Sequence, residues 1–188
     1  MAGPVLTAAI ALFFLWMVFI FNRLVRLRND VKSAWSQIDV QLKRRHDLIP
    51  NLVAAVKGYM DFERDTLERV VSARAAAAVA VGVHEKAVSE SRLTRAIDGL
   101  FMVMENYPVL KSSENVMQLQ EELVSTENRI AFARQFYNDL VANLRTKIEV
   151  FPDNIIASFF SFRGAEYFSA GEEDKALPSA GLGTRSND

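Results

Sequence analysis

The chain contains no cysteine, which removes disulfides, thiolate nucleophiles and thiolate metal sites together and suits a reducing compartment. Only two histidines, His46 and His84, are present. A carboxylate di-iron bundle needs Glu-x-x-His on facing helices, but the residues three before these histidines are Lys43 and Val81. Both histidines therefore read as surface or polar-packing residues. There is no glycine-rich phosphate loop, no G-x-S-x-G elbow and no H-E-x-x-H helix, and no serine sits in a recognisable base-and-orienter context. No segment alternates apolar and polar residues for long enough to be a strand. A formal net charge of -1 gives no support to nucleic-acid binding. These absences leave no catalytic, metal-binding or cofactor-binding residue to nominate, no cofactor and no small-molecule substrate.

The residues that are present are dominated by one apolar run, Val5 to Phe21, interrupted only by Thr7 and carrying Leu12 and Trp16 near its middle. Such a run is long enough to cross a bilayer with little tilt. Arg23, Arg26, Arg28 and Lys32 come after it, whereas Met1 to Pro4 carry no side-chain charge. The lysine and arginine bias predicts a short N-terminus outside and the bulk of the chain in the cytoplasm. A cleaved secretory signal would need a positive n-region, a shorter apolar core and a small-x-small cleavage site, and Phe19 to Asn22 supply no such site. An uncleaved anchor over residues 1–22 is the expectation.

The chain has 188 residues, so the remainder beyond the anchor suffices for one domain, expected over 23–168. Leu24, Leu27, Val31, Ala34, Ile38 and Leu42 recur at steps of three and four, which predicts that the membrane helix continues as an amphipathic one to about Ile49. Pro50 is expected to bend or end it. A second helix is expected from Asn51 to about Ala80, a turn at Gly82, and a third helix from about Lys86 to Tyr107, stopped by Pro108. Ser112 or Ser113 can cap a long fourth helix. Its stripe runs through Val116, Leu119, Leu123, Thr126, Ile130, Ala133, Tyr137, Leu140, Leu144 and Phe151. Pro152 ends it, a short helix reaches Phe160, and residues 169–188 read as a disordered tail. The fold class is all-α: a transmembrane helix running into an elongated antiparallel bundle with coiled-coil-like packing.

Charged residues inside these apolar patterns offer two readings. Arg44, Arg45, Asp47, Asn51, Glu127 and Arg134 can form a structural polar network that fixes bundle register, or they can be ordinary solvated faces with intrahelical pairs. Asn51 can also bond backbone groups freed at the Pro50 bend. The aromatic residues Phe159, Phe160, Phe162, Tyr167 and Phe168 can close the end of the bundle, dock a partner, or lie against lipid.

Two blocks carry a family resemblance. Ala34-Trp35-Ser36-Gln37-Ile38-Asp39-Val40-Gln41-Leu42-Lys43-Arg44-Arg45-His46-Asp47-Leu48-Ile49-Pro50-Asn51-Leu52 resembles the hallmark of the LemA family of bacterial membrane proteins. Tyr107-Pro108, Leu119 to Leu123, Thr126 to Ile130, Ala133-Arg134, Tyr137-Asn138 and Phe151-Pro152 are similar to its C-terminal half. The resemblance implies a single-pass protein of the bacterial inner membrane with a helical bundle and no established enzymatic activity. It is compatible with a membrane-anchored scaffold or adaptor that self-assembles or holds a membrane-protein partner. It also admits a regulatory subunit of a membrane protease, or a membrane-shaping protein of the magnetosome kind. A metal-dependent or hydrolytic enzyme is the remote alternative. The family often repeats Tyr-Asn one heptad after the first pair, whereas Leu144-Arg145 stand there in this chain.

Overall fold

A computed structural model describes residues 2–60 and 63–169. The tail expected over 169–188 lies outside the described residues from 170 onward. Among the described residues there is no strand, and six helices succeed one another: α1 (Ala2–Lys57), α2 (Arg64–Val79), α3 (Val83–Met104), α4 (Pro108–Lys111), α5 (Glu114–Glu149) and α6 (Asp153–Phe159). The all-α reading of the sequence is the observed fold.

α1 is a single helix of 56 residues, about 84 Å long at 1.5 Å per residue. Its first part is the one described helix apolar and long enough to cross a membrane. Val5, Leu12 and Phe19 all lie more than half exposed, so the run is apolar around its whole circumference and is not a core helix of the bundle. From Ile38 the buried positions are Leu42, Arg45, Ile49, Leu52 and Val56, a stripe with the alternating spacing of a coiled-coil seam.

The helix does not end at Pro50. Proline lacks the amide that would bond the carbonyl four residues back, which is that of His46. Arg74 on α2 donates its Nε to that carbonyl at 2.7 Å, and Ile49, Leu52 and Val56 are fully buried on either side. A tertiary donor and a continuous apolar stripe thus carry the helix through the proline. The freed group is met by Arg74 and not by Asn51, which is exposed. The break falls instead just after Lys57, where Gly58 has low helix propensity and the amides of Tyr59 and Glu63 bond Val56 and Met60 at 3.0 and 2.9 Å.

α2 and α3 form a hairpin across Gly82, whose φ of 88° lies in the region that glycine enters without steric cost. α3 starts and ends about three residues earlier than its sequence pattern predicts. Pro108 does not stop a helix but opens α4, where its missing amide is harmless. Ser113 occupies the N-cap of α5, although its hydroxyl makes no capping bond. The α5 stripe holds with one change: Val141 is buried, whereas Phe151 lies beyond the helix end and is exposed.

The order is up, down, up, down for α1, α2, α3 and α5. Arg44 faces Glu122 while Trp35 faces Tyr137, so α5 runs antiparallel to α1. The core has three parts. A distal one joins α1, α2, α3, α4 and α5 around Leu52, Val70, Leu100 and Leu123. A middle one joins α1, α5 and the start of α3 around Ile38, Ala87, Ile130, Val141 and Leu144, with Phe168 added from the C-terminal segment. A third, at the level of Ile20 and Leu24, is closed by Ile156 and Ala157 of α6.

Replacing Arg74 by alanine strips the His46 carbonyl of its donor and should lower stability by about 1–3 kcal/mol. In a Pro50→Ala background, where the helix supplies its own amide, the same replacement should cost clearly less. A double-mutant cycle by denaturant unfolding reads the difference, and equal costs in the two backgrounds would contradict the coupling.

Candidate functional site

The distal and middle cores are separated by a polar layer. On α1 the slot between Leu42 and Ile49 is filled by Arg45, only 2% exposed. On α3 the slot preceding Leu93 is filled by Glu90, also buried. On α5 Thr126 fills the stripe and returns its hydroxyl to the Glu122 carbonyl at 2.7 Å, leaving the neighbouring Glu127 to reach inward.

The Arg45 guanidinium joins all three helices. One terminal nitrogen donates to the Thr94 hydroxyl at 3.0 Å and to the Glu127 carboxylate. The other donates to the Glu90 backbone carbonyl at 3.0 Å and to the Glu90 carboxylate. The second Glu90 oxygen lies 2.8 Å from His46 Nε2. His46 in turn gives its backbone carbonyl to Arg74. Arg45 Nε has no hydrogen-bond partner among the described residues, so the layer is not fully satisfied. A cleft of about 150 Å³ between α3 and α5 reaches the Arg45 and Glu127 pair.

Of the six residues proposed from sequence for a polar network, Arg45 and Glu127 meet here. Arg44 reaches Glu122 at 3.7 Å on the surface, and Asp47 pairs with Lys43 at 3.1 Å along one exposed helical turn. Asn51 and Arg134 are exposed and lie outside the cluster. Glu90, Thr94 and His46 are members that sequence reading missed. The signal was available: Arg45 and Glu90 both fall in core slots of their helical stripes, where an unpaired charge is costly.

A second polar arrangement pins the C-terminal strap, residues 161–169, to α5. Tyr137 donates its hydroxyl to the Glu166 carbonyl at 2.8 Å. Asn138 both donates to the Phe168 carbonyl at 3.2 Å and accepts from the Phe168 amide at 2.9 Å. One heptad on, Arg145 donates to the Ala165 carbonyl at 3.0 Å and lies over the Tyr167 ring. Arg145 thus adds a third side chain of α5 that ties down the strap. Phe168 is buried against Trp35, and Phe162 packs on Phe21 beneath Arg28. Phe159 remains exposed, while Phe160 is partly so and lies 4.7 Å from the Phe21 ring. Burial, and then the nearby Glu166 charge, push the Tyr137 hydroxyl above its ordinary pKa of 10.0.

Among the described residues, no group of three or more histidine, aspartate or glutamate side chains is placed to hold a metal ion. The Arg45 layer ties α1, α3 and α5 together at one level, an arrangement by which a buried ion network can fix register.

Arg45→Leu should destabilise the domain by about 3–5 kcal/mol, because Glu90 is left buried without its arginine, with only His46 beside it. Adding Glu90→Leu should restore much of that loss, and thermal or denaturant melts of the two variants check it. For Tyr137, a folded-state pKa above the unfolded one gives stability that is complete below about pH 10 and lost as pH rises through the folded value. Tyr137→Phe should remove that alkaline limb from the stability profile.

The profile of the LemA family aligns with residues 34–180. A relative named Protein LemA, from Metamycoplasma hominis, is 26% identical over 87% of this chain and 79% of its own length. Magnetosome protein MamQ 2 of Paramagnetospirillum magneticum is 24% identical over 79% of this chain. Magnetosome protein MamQ of Magnetospirillum gryphiswaldense is 22% identical over the same share. The match spans 64% of the length of each MamQ relative. The family alignment begins at Ala34, includes Arg45, Glu90 and Glu127, and runs past the strap: the chain belongs to the LemA family.

Proposed function

We propose that this protein is a membrane-anchored helical scaffold of the LemA type, which presents its bundle at a fixed distance from a bilayer and holds a protein partner or a second copy of itself there. One observation carries the reading: a single unbroken helix forms both the apolar span and a wall of the bundle core. No flexible joint separates the two, so the position of the span sets that of the bundle.

In this reading residues 1–22 are the anchor and 23–168 the working domain. The exposed cations Arg23, Arg26, Arg28 and Lys32 favour a cytoplasmic bundle and an outward N-terminus in a bacterial inner membrane. No residue has a catalytic role. Partner contact falls to the groove between α1 and α5, where Val40, Phe132 and Phe136 are more than half exposed and line a space of about 580 Å³ with Ser36 and Arg129. An exposed apolar stripe of this kind marks an interaction surface. The magnetosome relatives favour a second reading, in which the same anchored bundle shapes the membrane that carries it.

Because the chain has no native thiol, Phe132→Cys is a unique site for a thiol-reactive cross-linker in intact membranes. The expected result is a discrete cross-linked species, of double mass or joined to one partner, that is absent for Glu68→Cys on the exposed side of α2. Equal, low yields at both positions would overturn the assigned surface, and recovery of the intact chain in the soluble fraction would overturn the anchor.

A further inference from the structure

We infer that α6 and the turn leading into it form a membrane-contacting foot, which rests in the headgroup zone of the same bilayer leaflet from which α1 emerges. The inference rests on the reading of Val5 to Phe21 as a bilayer span.

Its first support is level. Ile156 and Ala157 on one side of α6 pack against Ile20 and Leu24 of α1. The Phe160 ring lies 4.7 Å from that of Phe21, the last residue of the apolar run. Arg23, the first charge, comes within one turn. If the run spans the lipid, α6 therefore sits at the depth where hydrocarbon gives way to headgroups, the zone that aromatic side chains prefer.

Its second support is chemistry. The side of α6 turned away from α1 exposes Ile155 and Phe159, and the preceding turn exposes Phe151. Phe159 is 79% and Phe151 74% exposed, values at which a large apolar side chain in water gains little from folding. Among the exposed charges close by in sequence or contact, Arg23, Arg26, Arg28 and Arg163 outnumber the carboxylates Asp30, Glu149 and Glu166, while Asp153 of α6 itself is buried. Apolar side chains beside a cationic rim match an anionic phospholipid interface. The proximal aromatics thus divide by role. Phe162 and Phe168 close the bundle, and Phe159 and Phe151 face lipid.

The experiment uses the full chain reconstituted into vesicles of mixed anionic and zwitterionic phospholipid. Single cysteines carry an environment-sensitive fluorophore at Leu12→Cys, Phe159→Cys and Phe132→Cys, with circular dichroism confirming the helical fold of each. Lipids brominated along the acyl chain should quench the Leu12 site, lipids brominated near the headgroup should quench the Phe159 site to a comparable degree, and neither should quench Phe132. Quenching at Leu12 without quenching at Phe159 would overturn the foot and leave the anchor standing. Absence of quenching at all three would overturn the anchor and the foot together. Quenching at Phe132 as well would mean that the bundle lies along the surface, which also overturns a foot confined to α6. Should Phe159→Cys fail to fold, Ile155→Cys, on the same exposed side, reads the same depth.

Discussion

A guanidinium held among three helices governs this structure. Arg45 stands where an apolar side chain would continue the α1 stripe, and removing an ion from water costs several kcal/mol unless its protons are met. Its two terminal nitrogens are met when Glu90 on α3 and Glu127 on α5 arrive in one register, while its Nε stays without a partner among the described residues. Sliding α1 or α3 by one turn would leave a buried charge without its main counterion, whereas sliding α5 would remove the half-exposed Glu127. Apolar packing above and below the layer tolerates such slippage far better, since leucine and isoleucine stripes resemble themselves after a heptad. The charge layer therefore specifies which of several similar packings is adopted, and the apolar cores supply most of the stability.

Around that layer the bundle changes character. Distally, α1, α2, α3 and α5 enclose a core of ordinary helical-bundle type. Proximally, α2 drops away and only the start of α3, at Val83 and Ala87, reaches the middle core; the strap and then α6 cover the rest of the seam. An extended segment has no internal ladder for its backbone groups, so it needs side-chain partners. Tyr137, Asn138 and Arg145 supply them from a single face of α5.

Much of this was legible in the sequence because helical periodicity reports burial directly. The α5 stripe from Val116 to Leu144 and the α1 stripe from Leu24 to Leu42 could be read residue by residue. Pro50 could not, since its effect depends on a donor from a helix distant in sequence: Arg74 is an ordinary basic residue until folding brings it to the His46 carbonyl. The polar layer was half visible. Arg45 and Glu127 stand out as charges near apolar stripes, but Glu90 closes the polar patch His84 to Glu90, which reads as a turn leading into the third helix. Placing it in the core required continuing the Leu93, Ile97, Leu100 and Met104 series one step backward. The strap had no periodic signal at all, because extended chain is recognised by what binds it.

The pairing of α1 with α5 has a consequence for biosynthesis. Arg45 waits for Glu127, 82 residues further along the chain, whereas α2 and α3 meet as a local hairpin. A ribosome delivering this polypeptide would release the hairpin early and leave the seam of α1 uncovered until most of α5 had emerged, since long-range contacts must bear their loop-closure entropy first. Nascent chains with exposed apolar seams are the ones most open to misassembly.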